Sequence, residues 1–272
     1  MAAFDPEAVR SFERARWQGA AVHYQSTFAG ATQPFIEPLL DAARVTRGTR
    51  LLDIACGPGF VGSRGRERGA EVRGLDFSPA MLAIARARDG GLRFDEGDAE
   101  ALPYADESYD AAVANFGIHH VPRPLFALRE AHRVLRPGGH VAFSFWAEPG
   151  ENIAWRLVFD AVARHGDRAA ARAPEPGGGF GTAAQCAKAL RDVGFADCAT
   201  TTVRASWQHR DAQALVAALR AGTARMAAML EAQKPDAMTK IVADIRANAE
   251  LYRTETGIAV PIAAVIASGV RR

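Results

Sequence analysis

Leu51-Leu52-Asp53-Ile54-Ala55-Cys56-Gly57-Pro58-Gly59-Phe60-Val61-Gly62 is an apolar run that breaks into glycines and continues as a helical pattern. Gly57 and Gly59 carry no Cβ, so the backbone can turn tightly and a ligand can approach it closely. The helix opening beyond them offers free N–H groups to an anionic group. Asp76 closes the next apolar run, 19 residues after Gly57, where a carboxylate can accept hydrogen bonds from both hydroxyls of a ribose. Taken literally, Gly57-x-Gly59-x-x-Gly62 with an acid at that distance is the dinucleotide fingerprint, and NAD is the first ligand it suggests. The plain alternative is a glycine loop that only packs a helix onto a strand. Asp53 argues against NAD. Its carboxylate stands at the strand end, where it would repel a pyrophosphate but attract an ammonium group or a water bonded to one. A ligand with an adenosine half and an amino-acid half suits the loop better.

Outward from this loop the chain alternates. Arg50–Ala55, Glu71–Asp76, Leu92–Gly97, Asp110–Phe116 and His140–Trp146 read as strands. Helical patterns lie between them at Phe60–Arg68, Ala80–Arg88 and Leu125–Leu135, the last stopped by Pro137-Gly138-Gly139. Strands joined through helices imply βαβ units and a parallel sheet covered on both faces. Asp5-Pro6 opens an N-terminal helix, and a second helix spans about Pro34 to Arg44. After Trp146 come a helix (Ile153–His165), a flexible loop (Pro174–Gly181), a helix (Ala183–Val193) and a strand-like stretch (Phe195–Trp207). Asp211–Tyr252 is helical with breaks near Gly222 and Lys234-Pro235, and Ile258–Val270 is a last strand whose Pro261 argues against a regular centre.

The chain has 272 residues, somewhat under two domains at ~150 residues each, and can bury a core without disulfides or a metal. The expected division is a single domain over residues 1–272. Its cofactor-binding core covers about 45–147 plus terminal strands at about 195–207 and 258–270. A discontinuous helical cap takes up about 1–44, 151–181 and 211–252. Net charge is +2, with 17 basic and 19 acidic residues in the first 150 and 16 and 12 in the rest. Neither part has the basic footprint of a nucleic-acid binder. Arg outnumbers Lys 30 to 3 and Ala reaches 57, as GC-rich bacterial codons would produce. Three cysteines without metal spacing suit a reducing compartment. The N-terminus lacks an apolar signal segment, and Gly257–Val270, interrupted by Pro261, is too short to span a bilayer. A cytoplasmic protein, monomeric or homodimeric and not inserted in a membrane, is expected.

Further along, Gly74-Leu75-Asp76-Phe77-Ser78-Pro79-Ala80-Met81-Leu82 follows Asp53-Ile54-Ala55-Cys56-Gly57-Pro58-Gly59. Then come Gly97-Asp98-Ala99-Glu100-Ala101-Leu102-Pro103-Tyr104, Asp106-Glu107-Ser108-Tyr109-Asp110, Asn115-Phe116-Gly117-Ile118-His119-His120-Val121 and Arg133-Val134-Leu135-Arg136-Pro137-Gly138-Gly139. In this order and spacing, over roughly Leu51–Phe145, the chain resembles the class I S-adenosylmethionine-dependent methyltransferases of the small-molecule and quinone type. Tyr109, where the family often has Phe, and Ala55, where Gly is more frequent, are departures. The resemblance implies an α/β, Rossmann-like, doubly wound seven-stranded sheet, mostly parallel with the last strand antiparallel. It implies S-adenosylmethionine as cofactor, S-adenosylhomocysteine as product and no metal. It places Asp53, Ala55 and Gly57 around the methionine part and Asp76 on the ribose, with Cys56, Gly59 and Glu100 also among the cofactor-binding residues. Phe77 or Met81 would pack on adenine, Asp98 and Ala99 would meet its edge, and Asn115 and Phe116 would meet the methionine end. Plainer roles compete: Asp76 as a helix cap, Asp98 as a turn residue, Phe77 as core and Cys56 as a small buried side chain.

The implied reaction is methyl transfer to an O, N or C nucleophile of a small molecule such as a natural product, a quinone or another aromatic metabolite. An NAD-dependent oxidoreductase and a non-enzymatic S-adenosylmethionine-binding protein are the rivals. The candidates for a catalytic base are His119, His120 and Tyr24. Adjacent histidines cannot face the same way and lack further metal ligands, and a structural role beside the cofactor competes with catalysis. The acceptor pocket is expected between the N-terminal helices (Trp17, Tyr24, Phe28, Phe35), the segment after the fifth strand (Trp146, Trp155, Phe180) and the helices after Trp207.

Overall fold

Asp5 accepts from the backbone N–H groups of Glu7 and Ala8, and Pro6 takes the first helical position, so the chain opens with α1 (Pro6–Tyr24). The computed structural model describes residues 4–170, 173–177 and 181–272. After α1 come α2 (Ala29–Thr32), a 3-10 turn (Gln33–Phe35) and α3 (Ile36–Ala42), and then the alternation begins. It runs β1 (Arg50–Ile54), α4 (Phe60–Glu67), β2 (Glu71–Asp76), α5 (Pro79–Arg88), β3 (Arg93–Glu96) and β4 (Tyr109–Asn115). A 3-10 turn (Ile118–His120), α6 (Pro124–Val134) and β5 (Leu135–Trp146) follow. Then come α7 (Ile153–His165), α8 (Ala183–Asp192), β6 (Phe195–His209), α9 (Ala212–Ala221), α10 (Arg225–Glu231), α11 (Pro235–Ala249), β7 (Arg253–Thr254) and β8 (Gly257–Arg271).

The strands order as β3-β2-β1-β4-β5-β8-β6. The first five are mutually parallel, and β8 runs antiparallel to both β5 and β6. This is the Rossmann-like, mostly parallel α/β sheet with an antiparallel final strand. It differs from the expected count in one respect: the two-residue β7 pairs with β8 and makes the sheet eight-stranded. A second difference is the start of β5. Leu135 already pairs with Tyr109, and His140 with Ala111, so Pro137-Gly138-Gly139 bulges out within the strand instead of preceding it. The helix expected over Pro34–Arg44 ends at Ala42, and Arg44 turns left-handed at φ 53°.

Side chains alternate across the sheet with the period of two that strands impose. Leu52, Ile54, Ala112, Ala114, Val141 and Phe143 face α6 and α8. Leu51, Ala111, Val113 and Ala142 face α3 and α4. Both faces are thus covered, which is why the central strands read as continuous apolar runs. β6 and β8 each run for 15 residues, and their paired ends extend past β5. Over that projection Trp207, Ile258, Val260 and Ile262 form another core with α7, α9, α10 and α11. Pro261 is accommodated there. The carbonyl of Ala263 accepts from Ala147 on the β5 side. Two residues away, Pro261 turns its nitrogen to that same side, beyond the last β5 partner, so no ladder bond is lost. Gly222 ends α9 and Pro235 opens α11, as the breaks in the helical pattern require. No helix among the described residues is long and apolar enough to cross a membrane.

Candidate functional site

The strand ends at one edge of the parallel sheet carry an unusual backbone. After β1, Ala55, Gly57 and Gly59 have φ of 53°, 51° and 79°, and after β4 Phe116 has φ 58°. Left-handed geometry costs a residue with a Cβ about 1–2 kcal/mol, so Ala55 and Phe116 must be held in place. Phe116 is held by Ser144, whose hydroxyl accepts from the Phe116 N–H at 2.9 Å and donates to Asn115 Oδ1 at 2.6 Å. The ring of Phe116 stacks on Trp146 with centroids 3.9 Å apart. Ala55 is accommodated because its neighbour is Gly117. A Cβ on Gly117 would stand 2.5 Å from the Ala55 Cβ, so the methyl occupies space that only glycine leaves open.

Asp53 and Asp76 sit together at the ends of β1 and β2. Asp53 is 1% exposed, and neither of its carboxylate oxygens has a hydrogen-bond partner. Burial, and then the Asp76 charge, push its pKa up to about 8, against a smaller opposing pull from the Gly62 backbone N–H. Asp76 accepts from the backbone N–H of Gly57 at 2.8 Å and of Ser78 at 2.9 Å. Burial pushes it up to about 6 even so. Those two bonds leave lone pairs free for further donors. Ser78 caps α5 by accepting from Met81, which leaves the Asp76 carboxylate a loop-bracing role.

Both acids open into a cavity of about 1040 Å³. That is at the top of the range for a single small ligand, roughly 300–1,000 Å³, so there is room for a nucleoside-sized molecule and a second, smaller one. Of the residues picked out in the sequence, Asp53, Ala55, Cys56, Gly57 and Asp76 line it on the β1–β2 side, with Phe77 and Met81 beside them. Asp98, Ala99, Asn115 and Phe116 line it from the ends of the neighbouring strands. Gly59 and Glu100 are not in its wall. Gly59 caps α4. The Glu100 carboxylate is turned to Arg123, accepting from its backbone N at 2.7 Å and its Nε at 2.6 Å. Asp98 acts in a turn, accepting from the Glu100 N–H at 2.8 Å, and is paired with Arg10 of α1 at 3.1 Å. Burial pushes the Cys56 thiol well above its ordinary value, so it is no nucleophile.

The other half of the cavity wall comes from distant segments. Trp17, Tyr24 and Phe28 enter from the N-terminal helices, Trp146 and Trp155 from after β5, and Thr223 to Met226 from the start of α10. Phe35 lies behind the wall, fully buried with its edge on Phe116 and Trp146, and Phe180 lies outside the described residues. His119 and His120 both reach the cavity. Tyr24 does too, but burial pushes its phenol up to about 12 and its hydroxyl is engaged with Thr32 at 3.1 Å. A phenol that holds its proton at neutrality is not a base. Glu13, Arg10 and Arg225, which line the same space, were not picked out in the sequence. The legible sign for Glu13 was its place four residues after Val9, on the buried face of α1, where an acid is out of character.

The donor set fits S-adenosylmethionine. An orphaned carboxylate suits an ammonium group, a second acid with spare lone pairs suits a ribose, and Phe77 with Met81 offers an apolar slot for a base. A parallel sheet of this order with an antiparallel strand beyond it and a ligand cavity at the strand ends is the class I methyltransferase fold. Residues 52–143 match the family described as Methyltransferase domain. The demethylmenaquinone methyltransferase of Renibacterium salmoninarum is 38% identical over 120 residues, 44% of this chain and 51% of that protein. The malonyl-acyl-carrier-protein O-methyltransferase of Erwinia pyrifoliae is 36% identical over 156 residues, 56% of this chain and 60% of that protein. The chain spans about half the length of the curated relatives it matches. Among solved structures, a SAM-dependent methyltransferase from Thermotoga maritima aligns over 96% of this chain and 100% of its own, with a TM-score of 0.56 and 18% identity. That likeness is one of fold.

Proposed function

We propose that this chain transfers the methyl group of S-adenosylmethionine to a small-molecule acceptor, leaving S-adenosylhomocysteine. The observation that carries this reading is the Asp53 carboxylate, buried in the cavity wall with both oxygens unpartnered. A buried acid without a donor is costly, and a ligand ammonium relieves it where a pyrophosphate would aggravate it. In this reading Asp53, Ala55 and Gly57 meet the methionine part, Asp76 the ribose, Phe77 and Met81 the adenine faces, and Asp98 and Ala99 the adenine edge. Asn115 and Phe116 lie at the sulfonium. When bound, the cofactor supplies an activated methyl group. The chain's part is then to align an acceptor with it and exclude water. The acceptor enters between Trp17, Tyr24, Phe28, Trp146 and Trp155. Such aromatic walls favour a flat apolar molecule such as a quinone or an aromatic metabolite, and the demethylmenaquinone methyltransferase relatives support that class. The second core, over the projecting ends of β6 and β8, supports reading α7 and α9–α11 as a cap on one domain. Calorimetry with S-adenosylmethionine, S-adenosylhomocysteine and NAD tests the proposal. Binding of the first two that is lost in Asp76→Ala is the expected result. Tighter binding of NAD overturns it.

A further inference from the structure

Glu13 of α1 is 1% exposed and receives donors from three directions. Arg225 Nε donates to Oε1 at 2.7 Å, while Trp17 Nε1 at 3.1 Å and His120 Nδ1 at 2.9 Å meet Oε2. Burial works against the Glu13 charge, but His120 and Arg225 outweigh it and hold the carboxylate below its usual range. An ionised carboxylate only accepts, so Nδ1 of His120 keeps its hydrogen and Nε2 is the nitrogen left to gain and lose one. Nε2 has no partner among the described residues, and the His120 side chain stands in the cavity wall. The same cavity wall also carries Arg10, Arg14, Asp53, Asp76, Asp98 and Glu148. Beyond Arg225 lies the exposed Glu175, 3.5 Å away. The His119 ring is 4.2 Å from that of His120. Burial, then His120 and Arg225, keep His119 well below the ordinary histidine value and hence neutral. The 3-10 turn that carries both rings begins next to Gly117, whose backbone packs on Ala55.

We propose that His120 is the general base of the reaction, with Glu13 and Arg225 as positioning residues, and that the acceptor is a hydroxyl compound, a phenol or an enol. This rests on the methyltransferase reading above. In the step, Nε2 of His120 takes the hydroxyl proton as the acceptor oxygen bonds to the methyl carbon. The electron pair of the broken carbon–sulfur bond stays on sulfur, which becomes a neutral thioether. The imidazolium so formed is balanced by Glu13, and its proton leaves to solvent. An amine would need no such base, because it can lose its proton to water after transfer. A hydroxyl is a poor nucleophile until its proton is removed.

The test begins on the unmodified protein. Nitrogen-15 NMR of the histidine rings in the complex with S-adenosylhomocysteine, followed through the titration, is expected to show the neutral form of His120 as the Nδ1–H tautomer, and a mixture of tautomers in Glu13→Gln. Turnover is read as S-adenosylhomocysteine formed with 4-methoxyphenol and with 4-nitrophenol, which ionises near neutrality. His120→Gln is expected to lose about 100-fold on the first, in the range of general-base effects, and under about 10-fold on the second. Glu13→Gln moves the acid limb of the 4-methoxyphenol pH profile to lower pH, which a merely structural clamp would not do. Equal losses on the two phenols, the Nε2–H tautomer, or wild-type protein that binds S-adenosylmethionine but turns over neither phenol overturns the proposal. Failure to bind S-adenosylmethionine at all is a different result and overturns the methyltransferase reading itself.

Discussion

Replacing Asp53 by Asn separates stability from binding. The Asp53 carboxyl has its pKa raised from an ordinary 3.8 to about 8. The unfolded chain therefore gives up this proton near pH 4 while the folded chain keeps it to near pH 8. Over that window the folded state binds more protons, so wild-type stability falls as pH rises and levels off above the folded pKa. Between about pH 5 and about pH 8 the linkage spans close to three pKa units, or about 4 kcal/mol as an upper bound. Water reaching the carboxylate from the cavity reduces this to roughly 2 kcal/mol. Asn keeps the shape and removes the charge. Without ligand, Asp53→Asn is thus expected to gain on the wild type by roughly 2 kcal/mol between those two pH values, seen as roughly 4–8 °C in Tm for a chain of this size. The same variant is expected to bind S-adenosylmethionine roughly 10- to 100-fold more weakly, as the loss of a charged hydrogen bond implies. Thermal melts at the two pH values and calorimetry at neutrality provide the measurements. A Tm difference that does not grow with pH refutes the unrelieved buried acid. Unchanged affinity refutes its pairing with the ligand ammonium.

Three further outcomes follow from the same geometry. Binding of S-adenosylmethionine near pH 7 is expected to release close to one proton from Asp53. Calorimetry in buffers of different ionisation enthalpy checks this, and heats that do not vary with the buffer count against it. Gly117→Ala is expected to cost roughly 2 kcal/mol against Ala55, and a good part of that is recovered in Ala55→Gly/Gly117→Ala, because the two Cβ atoms compete for one space. Denaturant unfolding of the double-mutant cycle measures the coupling, and strict additivity would show that the contact is unimportant. Ser144→Ala leaves the buried Phe116 N–H without its acceptor and is expected to cost about 1–3 kcal/mol. It should also raise KM for S-adenosylmethionine, whereas steady-state rates identical to wild type would contradict the bracing role.

Which parts were legible depends on where their physics lies. The β1 loop, Asp76 and the helix cap at Ser78 are decided within a few residues by turn chemistry and by spacing across one βα unit, so the chain carries them openly. The break at Gly222 and the helix start at Pro235 are local in the same sense. Glu100 shows the limit of motif reading. It lies in the same segment as Asp98 and Ala99, yet its carboxylate is drawn to Arg123, 23 residues on. Ala55 stood out as a departure, but its tolerance depends on Gly117, which is distant in sequence and adjacent in space. The bulge at Pro137-Gly138-Gly139 was legible as a helix stop and illegible as the start of a strand, because only the pairing of Leu135 with Tyr109 places it there.

By itself the amino-acid sequence determined the α/β alternation, the glycine loop and the placing of Asp53 and Asp76 at adjacent strand ends. Each of these is written in contiguous residues whose geometry is set by hydrogen bonds to near neighbours. Only the tertiary structure decided the far wall of the cavity. It brings His120 from beyond β4 and Arg225 from α10 onto the Glu13 carboxylate of α1, over separations of 107 and 212 residues. No periodicity records such a meeting. It follows from α1 packing on α5 and α9 while the helices after β6 pack over the projecting ends of β6 and β8, a long-range choice made by buried area and charge pairing rather than by local pattern.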